Sequence, residues 1–157
     1  MKKQKQIEYD WFETYQELSQ KDQHLVHQAI QVAKKAYAPY SCFLVGSAVL
    51  LEDGNVVLGN NQENIAYPSG MCAERVALFY AGANYPNTTI QTIAIYAEGD
   101  LIDKDACISP CGSCRQVIVE SESRQKSPIR VILVSQDGKT WVFESVQDIF
   151  LFPFGIQ

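Results

Sequence analysis

The feature that most restricts this fold is a repeated change of period along the chain: short apolar runs joined by Asp-Gly turns alternate with longer stretches of helical spacing. Two runs, 43–51 and 56–59, flank Asp53-Gly54, and two more, 131–135 and 140–143, flank Asp137-Gly138. Each pair predicts a β-hairpin, because Asp-Gly readily adopts the positive φ that tight turns between twisted strands need. A further strand is expected over 90–97. In 21–37 the residues Val26, Ile30, Ala33 and Tyr37 recur at helical spacing, while His24, His27 and Lys34 fall on the opposite side, so this is an amphipathic helix ended by Pro39. Segment 72–81 is apolar nearly all round and predicts a buried helix stopped near Gly82; 111–123 predicts another helix and 146–150 a short terminal one. Helices alternating with strands predict an α/β fold, a three-layer α/β/α sandwich around a mixed sheet of about five strands.

Composition narrows the function. The 157 residues are 46% hydrophobic and 20% charged, enough for one real core. Lys and Arg number 13 against 18 Asp and Glu, a net charge of −5, which argues against a nucleic-acid groove, since phosphate binding needs clustered cations. The longest apolar run, 43–51, is far short of the roughly 20 residues of a membrane span. The basic start, Met1-Lys2-Lys3, leads into Glu8 and Asp10 rather than an apolar stretch, so the expected setting is cytoplasmic. Residues 1–20 read as a partly docked N-terminal arm.

Five cysteines, an odd count in a reducing compartment, point to metal ligands or reactive thiols rather than a disulfide framework. Cys111 and Cys114 sit three positions apart at a helix start, where side chains share one face and free N–H groups favour thiolate. Zinc can bridge them. A thiol redox pair shares that pattern, and the motif alone leaves it open. Cys72-Ala73-Glu74-Arg75, at the mouth of the other helix, supplies a third thiol and a carboxylate two residues on. Residues i and i+2 point about 200° apart in a regular helix, so both face one cleft only if Cys72 is at the rim and Glu74 in the first turn. Three thiolates leave zinc one open position, the arrangement of a catalytic rather than a structural site, with Glu74 as proton carrier. Arg75, donating to a sulfur, would offset the net −1 of three thiolates on Zn²⁺. Cys42 and Cys107 read as small buried apolar residues, and His24 and His27 as solvated.

These blocks, with 36–46, Asn61-Gln62-Glu63-Asn64 and Ser109-Pro110-Cys111-Gly112-Ser113-Cys114-Arg115, resemble the zinc-dependent cytidine deaminases of the short homotetrameric type, over nearly the whole chain from Tyr37. The resemblance implies that 21–157 is a single deaminase domain in which Cys72, Cys111 and Cys114 hold one Zn²⁺ per chain. It implies that activated water attacks C4 of cytidine or deoxycytidine and that Glu74 shuttles the proton, releasing ammonia in pyrimidine salvage. It also implies that Asn61 and Glu63 bind the ribose hydroxyls, Phe43 packs near sugar and base, backbone around Ala73 reads the pyrimidine edge, and Tyr67 reaches a neighbouring subunit's site. Partners are then a small-molecule nucleoside and other copies of the chain, not nucleic acid or membrane. Phe154 is the candidate for the family's tail phenylalanine. Two other readings are a deaminase of another aminopyrimidine, such as a nucleoside antibiotic, and a non-catalytic domain in which Cys107 closes the zinc as fourth ligand.

Overall fold

The computed structural model describes residues 1–154. The first Asp-Gly hairpin forms as its pattern predicts. With strands numbered from the N-terminus, β2 (Leu44–Leu51) and β3 (Val56–Asn60) pair antiparallel, and Gly54 at the turn has φ +87°. β4 (Ile90–Glu98) lies antiparallel to β2 and parallel to β5 (Arg130–Val134). The parallel pair requires a crossover. It is supplied by α3 (Gly112–Gln125). β6 (Thr140–Phe143) completes the second hairpin with β5.

A sixth strand, β1 (Asp10–Phe12), extends the sheet beyond the expected five and gives the order β1-β6-β5-β4-β2-β3. It comes from the arm. Three residues are too few to show a two-residue period, so this strand is fixed by pairing with β6 and by the Tyr9 ring packing 5.4 Å from Phe143.

The layers follow from which residues of each strand are apolar. On one face α1 (Gln20–Ala33) sets Leu25, Val26, Ala29 and Ala33 against Ala48 and Leu50 of β2 and Ala94 of β4. On the other, α2 (Ala73–Asn84) and α3 cover Val49, Leu51, Ile93 and Ile95. Burial of each large aliphatic side chain is worth roughly 1.5–3 kcal/mol. Two glycines set how closely the layers approach. A Cβ on Gly46 would lie 2.0 Å from Ala29 O of α1, and one on Gly59 would lie 2.4 Å from Ala73 O of α2. Gly59 thus seats the first turn of α2 directly on β3.

Three helix ends differ from the sequence pattern. α1 stops at Ala33 rather than at Tyr37, because Tyr37 leaves the helix to bridge residues 61–63 just after β3: its N–H donates to Asn61 O at 3.0 Å and its carbonyl accepts from Glu63 N at 2.8 Å. α2 runs through Gly82 to Asn84 and ends before Pro86, which restricts the preceding residue and is the actual stop. The terminal helix shortens to a single 3-10 turn, Val146–Asp148. Among the described residues, no helix is long and apolar enough to cross a membrane.

Candidate active site

The parallel β4–β5 pair and its crossover bring the starts of α2 and α3 together at one end of the sheet. Cys72 is the N-cap of α2 and Cys111 the N-cap of α3, and neither spends its side chain on a capping bond. Their Sγ atoms are 4.0 Å apart, Cys111 and Cys114 are 3.5 Å apart, and all three sulfurs lie within 4.8 Å of one another. Zn–S bonds of about 2.3 Å in a tetrahedron set sulfurs a little under 4 Å apart, so the donor set fits zinc. Among the described residues no fourth His, Cys, Asp or Glu joins the group. Cys107 is exposed, and so is Cys42, which correct the expectation that both are buried. Cys42 ends the turn before β2 with a left-handed φ of 54°. His24 and His27 are exposed on α1.

The sulfurs sit in an environment that favours negative charge. Hydrogen bonding from the Cys114 thiol, then donation from Arg75 and its charge, pull Cys72 down to about 5 against the opposing effect of burial. Cys114 moves up, because it is the donor to Cys72 and is buried. Arg75 Nη2 donates to Cys72 Sγ at 3.5 Å. The positive ends of two helices add to this, and a dication is the natural occupant of the three sulfurs.

Glu74 lies in the first turn of α2 and is 5% exposed. Burial raises its pKa above the ordinary carboxyl value, and the neighbouring Cys72 charge raises it further, while its own backbone N–H opposes the shift. It shares a cavity of about 300 Å³ with Cys72, Ala73 and Cys111 on one side and Phe43, Asn61 and Glu63 on the other. That volume is at the small end of the roughly 300–1,000 Å³ typical of small-molecule sites.

The far side of the cavity is held by side chain to main chain pairs. Asn61 Oδ1 accepts from Val45 N at 2.8 Å and its Nδ2 donates to Phe43 O at 2.9 Å. Glu63 Oε2 accepts from the N–H groups of Tyr40 at 2.9 Å and Ser41 at 3.2 Å, and Oε1 accepts from the Ser41 hydroxyl. That hydroxyl bond, more than the two backbone ones, holds the Glu63 carboxyl below the ordinary value of 4.5.

Sequence reasoning missed several walls. Ile95, Leu101, Ile108 and Ser109 also line the cavity. Leu101 belongs to the segment 100–105 between β4 and α3, where Leu101-Ile102 among three aspartates and a lysine is too short to carry a period. Arg115 fixes the wall beneath Cys111, with Nε donating to Pro110 O at 2.7 Å and Nη2 to Ser109 Oγ at 2.8 Å. Tyr67 is not in this cavity. It is 77% exposed and borders an adjoining groove, edge-on to Tyr40 at 6.3 Å. Phe154 is exposed as well, its backbone pinned to α3 through Gln116 at 2.6 and 3.1 Å.

With this geometry in place, the sequence pattern of the cytidine and deoxycytidylate deaminase zinc-binding region matches residues 19–128. The chain belongs to this family. A cytidine deaminase from Halalkalibacterium halodurans is 44% identical over 98 residues, covering 62% of this chain and 70% of the relative. One from Mycobacterium tuberculosis H37Rv is 36% identical over 105 residues, 65% of this chain and 74% of the relative. Among solved structures, cytidine deaminase from Burkholderia pseudomallei superposes with a TM-score of 0.71 at 37% identity, over 83% of this chain and 97% of that one. The family region is a zinc-binding one, and Cys72, Cys111 and Cys114 form the group able to hold the metal. The matched region begins after β1 and ends before β5, so this deaminase carries its N-terminal strand and its tail outside it.

Proposed function

We propose that this chain hydrolyses cytidine and deoxycytidine to uridine and deoxyuridine with release of ammonia. The observation that carries the reading is that a buried carboxyl, Glu74, shares one small cavity with Cys72 and Cys111, whose sulfurs converge with that of Cys114 directly behind them. Zinc held by Cys72, Cys111 and Cys114 supplies the Lewis acidity that makes water nucleophilic near neutral pH. Glu74 does the proton transfer. Its carboxylate accepts a proton from the attacking water and delivers it to N3 of the pyrimidine. It then carries the second proton to the exocyclic nitrogen, which leaves as ammonia once C4–O has replaced C4–N. A carboxyl whose proton affinity is raised by burial suits both halves of that transfer.

The other residues bind and orient. Backbone groups around Ala73 meet the pyrimidine edge and Phe43 packs against base and sugar. A carboxylate has about four acceptor positions, and Glu63 uses three, which leaves one for a ribose hydroxyl. Asn61 has engaged one N–H and one lone pair and keeps one of each. A hydroxyl can therefore accept from Asn61 and donate to Glu63. Arg75 offsets the excess negative charge of the sulfurs. Tyr67, exposed and outside its own chain's cavity, fits a role in a neighbouring copy's site, as does exposed Phe154; both support a homotetramer, and the setting we propose for it is the cytoplasm. Residues 21–157 act as the deaminase domain.

Loss of absorbance at the cytosine band, on mixing protein with cytidine, tests the reading. Glu74→Gln is expected to retain one zinc per chain and lose about 10²–10⁴-fold in rate. Zinc-loaded parent protein that leaves cytidine unchanged would overturn it.

A further inference from the structure

Ser41 hydrogen-bonds both Glu63 and Phe43, two lining residues of the cavity. Its hydroxyl donates to Glu63 Oε1 and accepts from Phe43 N at 3.1 Å, and its own N–H donates to Glu63 Oε2. The links continue into a closed circuit. Phe43 O accepts from Asn61 Nδ2, Asn61 O accepts from Tyr37 N, and Tyr37 O accepts from Glu63 N at 2.8 Å. Three segments are thereby locked in register: Tyr37 beyond the end of α1, the 38–43 turn that enters β2, and residues 61–63 after β3.

The turn itself needs support. Cys42, between Ser41 and Phe43, holds a left-handed φ of 54°, which costs an ordinary side chain about 1 kcal/mol or more. Removing the hydroxyl would take one hydrogen bond from each side of that strained residue, leaving Ser41 N–H on Glu63 and Phe43 O on Asn61. Glu63 would keep two backbone donors, both on Oε2, and Oε1 would lose the partner that sets which of its lone pairs stays free.

We propose that Ser41 is a positioning residue for recognition of the nucleoside's sugar hydroxyls, aiming the free acceptor of Glu63 through its hydroxyl group. It acts through Glu63 and takes no part in proton transfer. The inference rests on the reading of Asn61 and Glu63 as ribose contacts, so its test must separate the two.

The test compares KM and kcat for cytidine and for 2′,3′-dideoxycytidine, which offers the same base without the sugar hydroxyls at issue, in the zinc-loaded full chain. Ser41→Ala is expected to raise KM for cytidine about tenfold, the loss of one charge-assisted hydrogen bond, and KM for dideoxycytidine less than about twofold. Ser41→Thr, which keeps a hydroxyl, is expected to recover most of the cytidine KM. A purely structural defect would instead raise both KM values together or lower kcat for both substrates, and either result would overturn the proposal. Glu63→Ala separates the failures. If it selectively weakens cytidine while Ser41→Ala does not, Ser41 is not the positioning residue and the ribose reading stands. If Glu63→Ala also weakens both substrates equally, the ribose reading fails and the proposal falls with it.

Discussion

The two ends of the cavity are built by different means. At the metal end, Cys72, Glu74, Cys111 and Cys114 belong to the starts of two helices, and the fold has only to bring those starts together. At the other end, which we propose takes the sugar, Ser41, Phe43, Asn61 and Glu63 stand on irregular backbone, and their places depend on hydrogen bonds between residues 16 to 22 positions apart. The first end takes its precision from the packing of whole elements. The second takes it from individual hydrogen bonds. Damage to packing should therefore strike chemistry, and loss of a single hydrogen bond should strike substrate choice.

Gly59 offers the sharpest way to break that division. A methyl group there would meet Ala73 O at 2.4 Å and Ala77 N at 2.6 Å, so Gly59→Ala must push α2 outward. Overpacking of this kind costs about 1–3 kcal/mol, and for a chain of this size each kcal/mol lowers Tm by about 2–4 °C. Because Cys72 and Glu74 ride on that helix, kcat should fall for every substrate and zinc should dissociate more readily. The ratio of the KM values for dideoxycytidine and cytidine should not change. A thermal melt, a zinc titration and two KM determinations check this. A change in the ratio would show that the two ends are not independent.

A smaller effect sharpens the comparison through pH. Glu63 is held below 4.5, chiefly by the Ser41 hydroxyl, so its ionised form and the contacts it makes persist above the ordinary value and disappear only as pH falls through the lowered one. The drop in the KM ratio should be centred below pH 4.5. In Ser41→Ala the drop should begin at higher pH. Taking the ratio cancels whatever acid does to the cysteines, which both substrates share.

The same contrast explains what the sequence made legible. The metal end could be read directly, because a Cys-x-x-Cys at one helix start and a Cys-x-Glu at another are local patterns, and an i, i+2 pair can share a cleft only at a helix rim. At the sugar end the residues were nameable only through resemblance. Glu63 taken alone reads as an exposed loop charge, and nothing local says that Asn61 will cross to Phe43 and Val45. The overrun of α1 to Tyr37 has the same origin, since helical spacing continues to a residue whose backbone is claimed by Asn61 and Glu63. The β1 strand and the Leu101 wall were invisible for a simpler reason, each being too short to carry a period. The central strands, buried on both faces and bounded by Asp-Gly turns, were read correctly, as was the three-layer order.

The central claim is that three cysteines hold zinc with one position left open. X-ray absorption at the zinc edge of the purified protein tests it most directly. The account predicts three sulfur neighbours at about 2.3 Å and one lighter neighbour at about 2.0 Å, unchanged in Cys107→Ser. Four sulfur neighbours, with one lost on replacing Cys107, would make the site a closed structural one and contradict it.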